Sequence, residues 1–424
     1  MIKKLLRLVI VKILGWQVRR LQRRHQFKVV GVAGSVGKTS AKFAIATVLA
    51  QKYRVRFQAG NYNDLVTVPL IFFGKDLPSL FNPFAWLKVL ISNELQLRKP
   101  YAYDVVVVEV GTDYPGNLIK FGAYLRLDIA VVTAISPEHM EFFANLDDVA
   151  TEELSVGVYA DKLVVNADLC DPQYLNIPGS MVTFGGKTAD YKLQDIKFSE
   201  ESASYQIHHQ SQVFKLRQAA VAKSEIYSAT AASVVAELLA LDKTQILAGV
   251  ALIKPVSGRM QRLAGRKDSI ILDETYNASP DAVMAALDSL YIFKSAHKIV
   301  ILGNMNELGQ SSASAHQQIG AYCDPEQLEL VVTIGPDANQ YLAPAAEEAG
   351  CRVKTFTDPY AAGQFVKDQL QPGSVILAKG SQNLVYAEEA IKPLLADPAD
   401  SAKLVRQSAA WTKKKQENFK HVRI

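Results

Sequence analysis

The segment GVAGSVGKTS, residues 31 to 40, follows the strand-like run FKVV and precedes AKFAIATVLAQK, which has helical spacing. A strand, a glycine-rich turn ending in Gly-Lys-Thr and a helix make a phosphate cradle. Backbone N–H groups turn inward, a lysine neutralises charge and a hydroxyl can reach Mg²⁺. Such a unit opens a parallel α/β sheet and excludes all-α and all-β folds for this part of the chain. The glycines fall at 31, 34 and 37, with Val32 where the strict eight-residue pattern has its first glycine. Gly34, Ser35, Val36, Gly37, Lys38, Thr39 and Ser40 are the expected nucleotide-binding residues, with Lys38 on the phosphates and Thr39 on the metal.

The rest of the chain repeats the same grammar. YDVVVVEVGT, LDIAVVTAIS and DKLVVNAD are apolar on both faces, as buried parallel strands are. After residue 255 the series restarts with DSIILDE, HKIVILGN, LELVVTIG and GSVILAKGS, separated by Ala-rich helical stretches. The fold class is therefore α/β, with a P-loop domain built on a mostly parallel sheet and a Rossmann-like C-terminal domain. From 190 to 215 polar and apolar residues alternate, which predicts an antiparallel excursion, and AAVAKSEIYSATAASVVAELLALDK predicts a helix closing the first unit. Pro255 and Gly258 break the helical pattern at the junction. The expected division is 1–28, a basic amphipathic helix; 29–254, the ATP-binding domain; 255–402, the C-terminal domain; and 403–424, a basic tail.

Charge sets the two ends apart. The net charge of the 424 residues is +5, but no Asp or Glu precedes Asp64, so the first 63 residues carry +14. Residues from 403 onward carry +6, which leaves −15 on the stretch between. Basic ends point to an anionic partner: a membrane surface, nucleic acid or phosphate groups. The ends lack interleaved aromatics or a nucleic-acid motif, so nucleic acid is set aside. Arg7 and Lys12 interrupt the N-terminal apolar run, which is too short to span a bilayer. RRLQRRH follows it where a signal peptide would have small residues. On a helix, Ile2, Leu5, Leu6, Val9, Ile13 and Trp16 share one face with Lys3, Lys4 and Arg7 opposite. Two readings stay open: an interfacial helix at the inner membrane face, or a stripe packed on the protein's own body. Cys170, Cys323 and Cys351 show no C-x-x-C spacing, which predicts buried thiols in a reducing cytoplasm.

Two further residues sit where chemistry is expected. Glu109 is the acidic residue near the end of VVVVEVG, and the carboxyl end of a strand beside a P-loop is a useful place for a metal ligand. His139, in ISPEHMEFF, follows the next such strand. With Thr39 they come from three strand ends that converge on one edge.

In order along the chain, GVAGSVGKTS, GNYNDLVTVPL, VEVGTDYPGNL, ISPEHMEFF, SGRM, LDETYNASPDAVMAAL, ILGNMNELGQ and LAKGSQ resemble the motifs of the Mur ligases from about residue 29 to 395. The Y-N-A-S-P segment looks most like the branch that adds D-alanyl-D-alanine. The resemblance implies a monomeric cytoplasmic enzyme of cell-wall synthesis that uses ATP and Mg²⁺ to activate the carboxylate of a muramoyl-peptide precursor as an acyl phosphate, which D-alanyl-D-alanine then attacks. It also implies roles: Lys38 on the β/γ-phosphates, Thr39 and Glu109 on Mg²⁺, His139 on a second metal, and Arg259 and Asp273 reaching the nucleotide phosphates and ribose. Tyr276 and Asn277 would lie at the domain interface. Asn61, Asn63, Lys379 and Ser381 would face the substrates. The bland alternative for Arg259 and Asp273 is an interdomain salt bridge.

Three departures from the family pattern stand out. About 28 residues precede the P-loop strand where the relatives hold a UDP-sugar domain. DVATEELSV, with Thr151, Glu152 and Glu153, occupies the place of a carbamylated lysine, so Glu152 or Glu153 is expected to supply that carboxylate. Tyr227 and Ser228 stand at the weak match to the adenine-facing motif. Two rival readings are a related ligase with another carboxylate and amine, and a non-catalytic nucleotide switch.

Overall fold

A computed structural model describes residues 2–60, 62–137, 140–175, 180–199 and 201–419. In chain order the first part comprises α1 (Ile2–Arg24), β1 (Lys28–Ala33), α2 (Lys38–Leu49), β2 (Val55–Arg56), α3 (Thr67–Phe73), α4 (Pro83–Leu97), β3 (Val105–Glu109), β4 (Leu127–Val132) and α5 (Leu146–Leu154). It continues with β5 (Ala160–Asn166), β6 (Met181–Gly185), β7 (Tyr191–Phe198), β8 (Ala203–His209), β9 (Gln212–Gln218), α6 (Lys223–Leu238) and α7 (Lys243–Ala251). Its strands form one nine-stranded sheet in the order β2-β3-β1-β4-β5-β6-β7-β8-β9. Pairing is parallel from β2 to β7 and antiparallel from β7 to β9, so the alternating 190–215 segment extends the same sheet.

The central strands lack alternation because both sides are covered. Val30, Val32, Val107 and Val131 pack with α2 and α6, while Val29, Ala33, Val106, Val108 and Val132 pack on the opposite side with α3 and the second half of α1. Register places Val32 between Glu109 on β3 and Val131 on β4, which brings the P-loop, Glu109 and the loop after β4 to one sheet edge.

The second part contains β10 (Gln261–Ala264), β11 (Ile270–Glu274), α8 (Pro280–Tyr291), β12 (Lys298–Gly303), α9 (Ser312–Tyr322), β13 (Leu330–Ile334), α10 (Ala343–Glu348), β14 (Val353–Phe356), α11 (Pro359–Gln369), β15 (Val375–Lys379), α12 (Ala387–Ile391) and α13 (Ala409–Asn418). The sheet runs β10-β11-β15-β12-β13-β14 and is parallel except at the β10 edge.

Both ends pack in part on the body. Helix α1 docks on the body through Ile10, Leu14, Val18 and Leu21, which are fully or almost fully buried. The expected stripe is not the docking face, because Leu6, Val9 and Trp16 stay exposed. The basic tail is not a free cationic segment either. Leu404 is buried, Arg406 pairs with Glu388, and Lys415 on α13 pairs with both Glu388 and Glu389. The acids on α12 neutralise Arg406 and Lys415 from within, while Lys413 and Lys414 stay exposed.

Candidate functional site

The P-loop takes its shape from two left-handed glycines. A Cβ on Gly34, at φ 119°, would lie 2.4 Å from the Thr133 hydroxyl and 2.8 Å from the Thr133 backbone nitrogen, so no larger residue fits against β4. Gly37, at φ 89°, starts α2 without a side-chain cap, and this first turn of the helix lines the cleft through Gly37, Lys38 and Thr39. Thr133 secures the loop by donating to the carbonyls of Ala33 (3.1 Å) and Val36 (2.6 Å). Ser35 is buried, and its hydroxyl accepts from Ser136 N–H (3.1 Å).

Behind the loop, the Thr39 hydroxyl donates to a Glu109 oxygen at 3.1 Å, and Lys42 Nζ approaches the same carboxylate at 3.1 Å while donating to Gly60 O at 3.0 Å. Glu109 and Lys42 are both almost wholly buried. A buried carboxylate needs such a partner to stay ionised. Sequence reasoning gave Lys42 no such role, although it lies one helical turn beyond Lys38 on a helix that faces β3. Lys38 folds back, with Nζ donating to the carbonyls of Gly34 and Ser35.

The opposite wall comes from the second part of the chain. The Arg259 guanidinium stacks over the Tyr276 ring at 4.1 Å, and its Nε is buried without an acceptor among the described residues. Tyr276 is anchored by its N–H to Gly258 O (3.1 Å), and its carbonyl accepts from Arg406 (2.9 Å). Lys379 is buried, donating to Asn277 O (3.0 Å) and pairing with Glu274 (3.3 Å), its neighbour across the β11–β15 register. Burial pulls the Lys379 ammonium below its ordinary pKa, with Glu274 opposing.

Ser35 to Thr39, Asn63, Glu109, Arg259, Tyr276, Asn277, Lys379 and Ser381 all line one cavity of about 330 Å³. Several expected site residues sit elsewhere. Gly34 N–H is taken by Glu153 (2.6 Å), and Ser40 does not line the cavity. Asp273 is wholly buried and accepts from Gly258 N–H (3.2 Å), Thr275 N–H (3.1 Å) and the Thr275 hydroxyl (2.6 Å), so it braces the Arg259 turn instead of facing a ribose. Burial pushes its carboxyl up to about 6, against the Thr275 donors. Nor does it pair with Arg259 in an interdomain salt bridge. Ser381 accepts from Asn306 N–H (2.8 Å) and ties two loops together.

Glu152 is saturated by Thr112 Oγ1 (2.8 Å) and the N–H groups of Gly116 (2.6 Å) and Leu118 (2.7 Å). With Glu153 on the P-loop, neither carboxylate lines the cavity. Tyr227 donates to Asp168 (2.6 Å) and Ser228 to Ser224 O (3.0 Å), away from the cavity. Asn61 and His139 lie outside the described residues. Asn306 and Glu307 line the cavity and were not singled out from the sequence; the motif MNELGQ was the available signal. Glu307 is held at φ 65°, a conformation costly for a residue with a Cβ.

These groups fit a metal–nucleotide pair. A hydroxyl and a carboxylate side by side are hard oxygen donors suited to Mg²⁺, which completes its shell with phosphate oxygens and water. The acceptor-less Arg259 Nε suits an incoming anion. A P-loop part and a Rossmann-like part meeting at one polar cleft define a two-lobed, nucleotide-using enzyme.

Residues 87–236 match the Mur ligase middle domain, and residues 258–382 match the Mur ligase glutamate ligase domain. The chain is 26% identical over 386 residues to the UDP-N-acetylmuramoyl-tripeptide–D-alanyl-D-alanine ligase of Bacillus subtilis, covering 88% of this chain and 76% of that one. In fold it resembles MurF from Acinetobacter baumannii (TM-score 0.75, 22% identity, 91% of this chain and 80% of that chain). It is similarly close to MurF from Thermotoga maritima in complex with ADP (TM-score 0.74, 22% identity, 90% and 83%). The chain belongs to the Mur ligases. It is an ATP-dependent ligase that forms amide bonds and uses Mg²⁺.

Proposed function

We propose that the chain joins D-alanyl-D-alanine to the free carboxylate of a muramoyl-tripeptide precursor in the cytoplasm, acting as a monomer through an acyl phosphate. The observation that carries this reading is the convergence of Lys38, Thr39 and Glu109 with Arg259, Tyr276 and Lys379 on one cavity. Residues 29–254 serve as the ATP lobe and 255–402 as the lobe that closes on it. Thr39 and Glu109 would hold Mg²⁺, which supplies charge neutralisation on the transferred phosphoryl group. Lys38 turns from the loop carbonyls to the phosphates, and Arg259, oriented by the Tyr276 ring, meets the transferring group from the other lobe. Asp273 and Arg406 hold the Arg259–Tyr276 wall in place. Asn63 and Lys379, which line the cavity, would meet the substrates.

Phosphate release and product mass, measured with UDP-N-acetylmuramoyl-tripeptide, ATP, Mg²⁺ and D-alanyl-D-alanine, test the reading. Product with a single amino acid but none with the dipeptide would replace it. Lys38→Ala should lower ligation at least about a hundredfold, as removal of a transition-state charge partner does. A nucleotide switch would lose affinity alone.

A further inference from the structure

We propose that the outer face formed by α1 and α4 seats on an anionic lipid bilayer. The two helices are locked side by side through their inner faces. The Gln17 side-chain amide donates to Leu90 O (3.0 Å) and Glu94 (3.0 Å), Asn93 donates to Gln17 (2.9 Å), and Arg20 pairs with Glu94 (2.7 Å). Ile10, Leu14 and Trp86 share one cluster beneath them. Those contacts leave a second apolar face with none of the described residues covering it. On α4, Phe84 (82% exposed), Leu87, Ile91 and Leu95 recur every three or four residues, and Phe81 (73% exposed) extends the stripe into the preceding loop. On α1, the exposed Trp16 lies beside the Arg20–Glu94 link to α4, and the exposed Leu6 and Val9 continue its face at helical spacing. Arg20 fixes this geometry, since it pairs with Glu94 while stacking 4.3 Å over the Trp16 ring.

Exposed apolar side chains on two helices locked side by side, including three aromatic rings, mark an interaction surface. Its border selects the occupant. Lys12, Arg19 and Arg23 on α1 and Lys88 on α4 are exposed and form no ion pair among the described residues. No acidic residue precedes Asp64 in the sequence. A second copy docked about a twofold axis would set this positive border against itself. An anionic bilayer accepts both features: the apolar side chains and Trp16 enter the headgroup boundary while the cations meet lipid phosphates. None of the described helices is long and apolar enough to cross a membrane, so the contact is peripheral.

The test is flotation of the full chain with phosphatidylcholine vesicles, with and without phosphatidylglycerol, at physiological salt. Binding is expected only with the anionic lipid. The double substitution Phe84→Ser/Ile91→Ser should weaken it about tenfold or more through lost apolar insertion, and Arg19→Gln/Arg23→Gln by a similar factor through lost charge. Circular dichroism confirms that these exposed changes leave the fold intact. Independently of any altered surface, brominated phosphatidylglycerol should quench the wild-type fluorescence, and Trp16→Phe should remove that quenching. Absence of flotation, flotation unchanged by Phe84→Ser/Ile91→Ser, or an unquenched Trp16 would overturn the proposal. So would a solution dimer that Ile91→Ser dissolves in a chain that ignores vesicles.

Discussion

The first 24 residues and the segment after 403 are alike in composition, both rich in Lys and Arg, and unlike in what the fold does with that charge. At the C-terminal end, Arg406 and Lys415 are buried and matched by Glu388 and Glu389, with contacts of 2.6 to 2.8 Å. At the N-terminal end, Lys12, Arg19 and Arg23 remain in solvent beside an uncovered apolar stripe. A cation's consequence depends on whether an acid folds against it. The acids of the intervening chain reach both ends, but they meet Arg7 and Arg20 in partly exposed pairs, whereas Glu388 and Glu389 meet Arg406 and Lys415 inside the fold.

The comparison breaks most visibly where the buried network is cut. Arg406→Ala or Lys415→Ala leaves Glu388 without a full counter-charge at zero exposure, and should cost about 3–5 kcal/mol in urea unfolding. Arg406→Ala should in addition raise KM for ATP, because its guanidinium holds the Thr275 and Tyr276 carbonyls. A half-buried acid without a cation shows the alternative. Burial pushes Glu225 up to about 8 from an ordinary 4.5, despite two backbone donors, whereas Lys392 and Lys415 outweigh burial and hold Glu389 below its ordinary value. Folded Glu225 therefore keeps a proton that the unfolded chain releases between about pH 4.5 and pH 8, and its contribution to stability falls as pH rises through that window. Glu225→Gln, which keeps an acceptor for Val221 and Ala222 N–H, should flatten that slope by on the order of 2 kcal/mol or more in pH-dependent melts.

Smaller is the cost of loosening α1. Gln17→Ala removes the amide that joins α1 to α4 and should destabilise by about 1–3 kcal/mol, with earlier amide exchange in α1 than in α2. Smallest is the exposed border: Arg19→Gln/Arg23→Gln should change unfolding free energy by no more than about 0.5 kcal/mol. A larger loss would mean that these cations are structural after all, and the contrast between the two ends would fail.

The sequence made the strands legible because their runs are apolar on both faces, and the P-loop legible because its glycines, lysine and threonine are contiguous. Glu109 could be read from its place at a strand end. Lys42 as its partner could not, since the pair joins residues 67 apart. Asp273 is expected at the nucleotide through the resemblance of LDETYNASP to the family motif, yet its bonds run to Gly258 and Thr275. The pairing within the tail was illegible for a related reason: net charge is additive along the sequence, whereas neutralisation by Glu388 is a matter of place.

The order in which the chain leaves the ribosome gives the Arg406 contacts a further meaning. Glu388 and the Tyr276 wall are synthesised before the residues that neutralise and brace them. A nascent chain can build its phosphate loop early, but the opposing wall waits for Arg406 and Lys415 to emerge and dock. The wall is thus braced by late-made residues that do not themselves line the cavity.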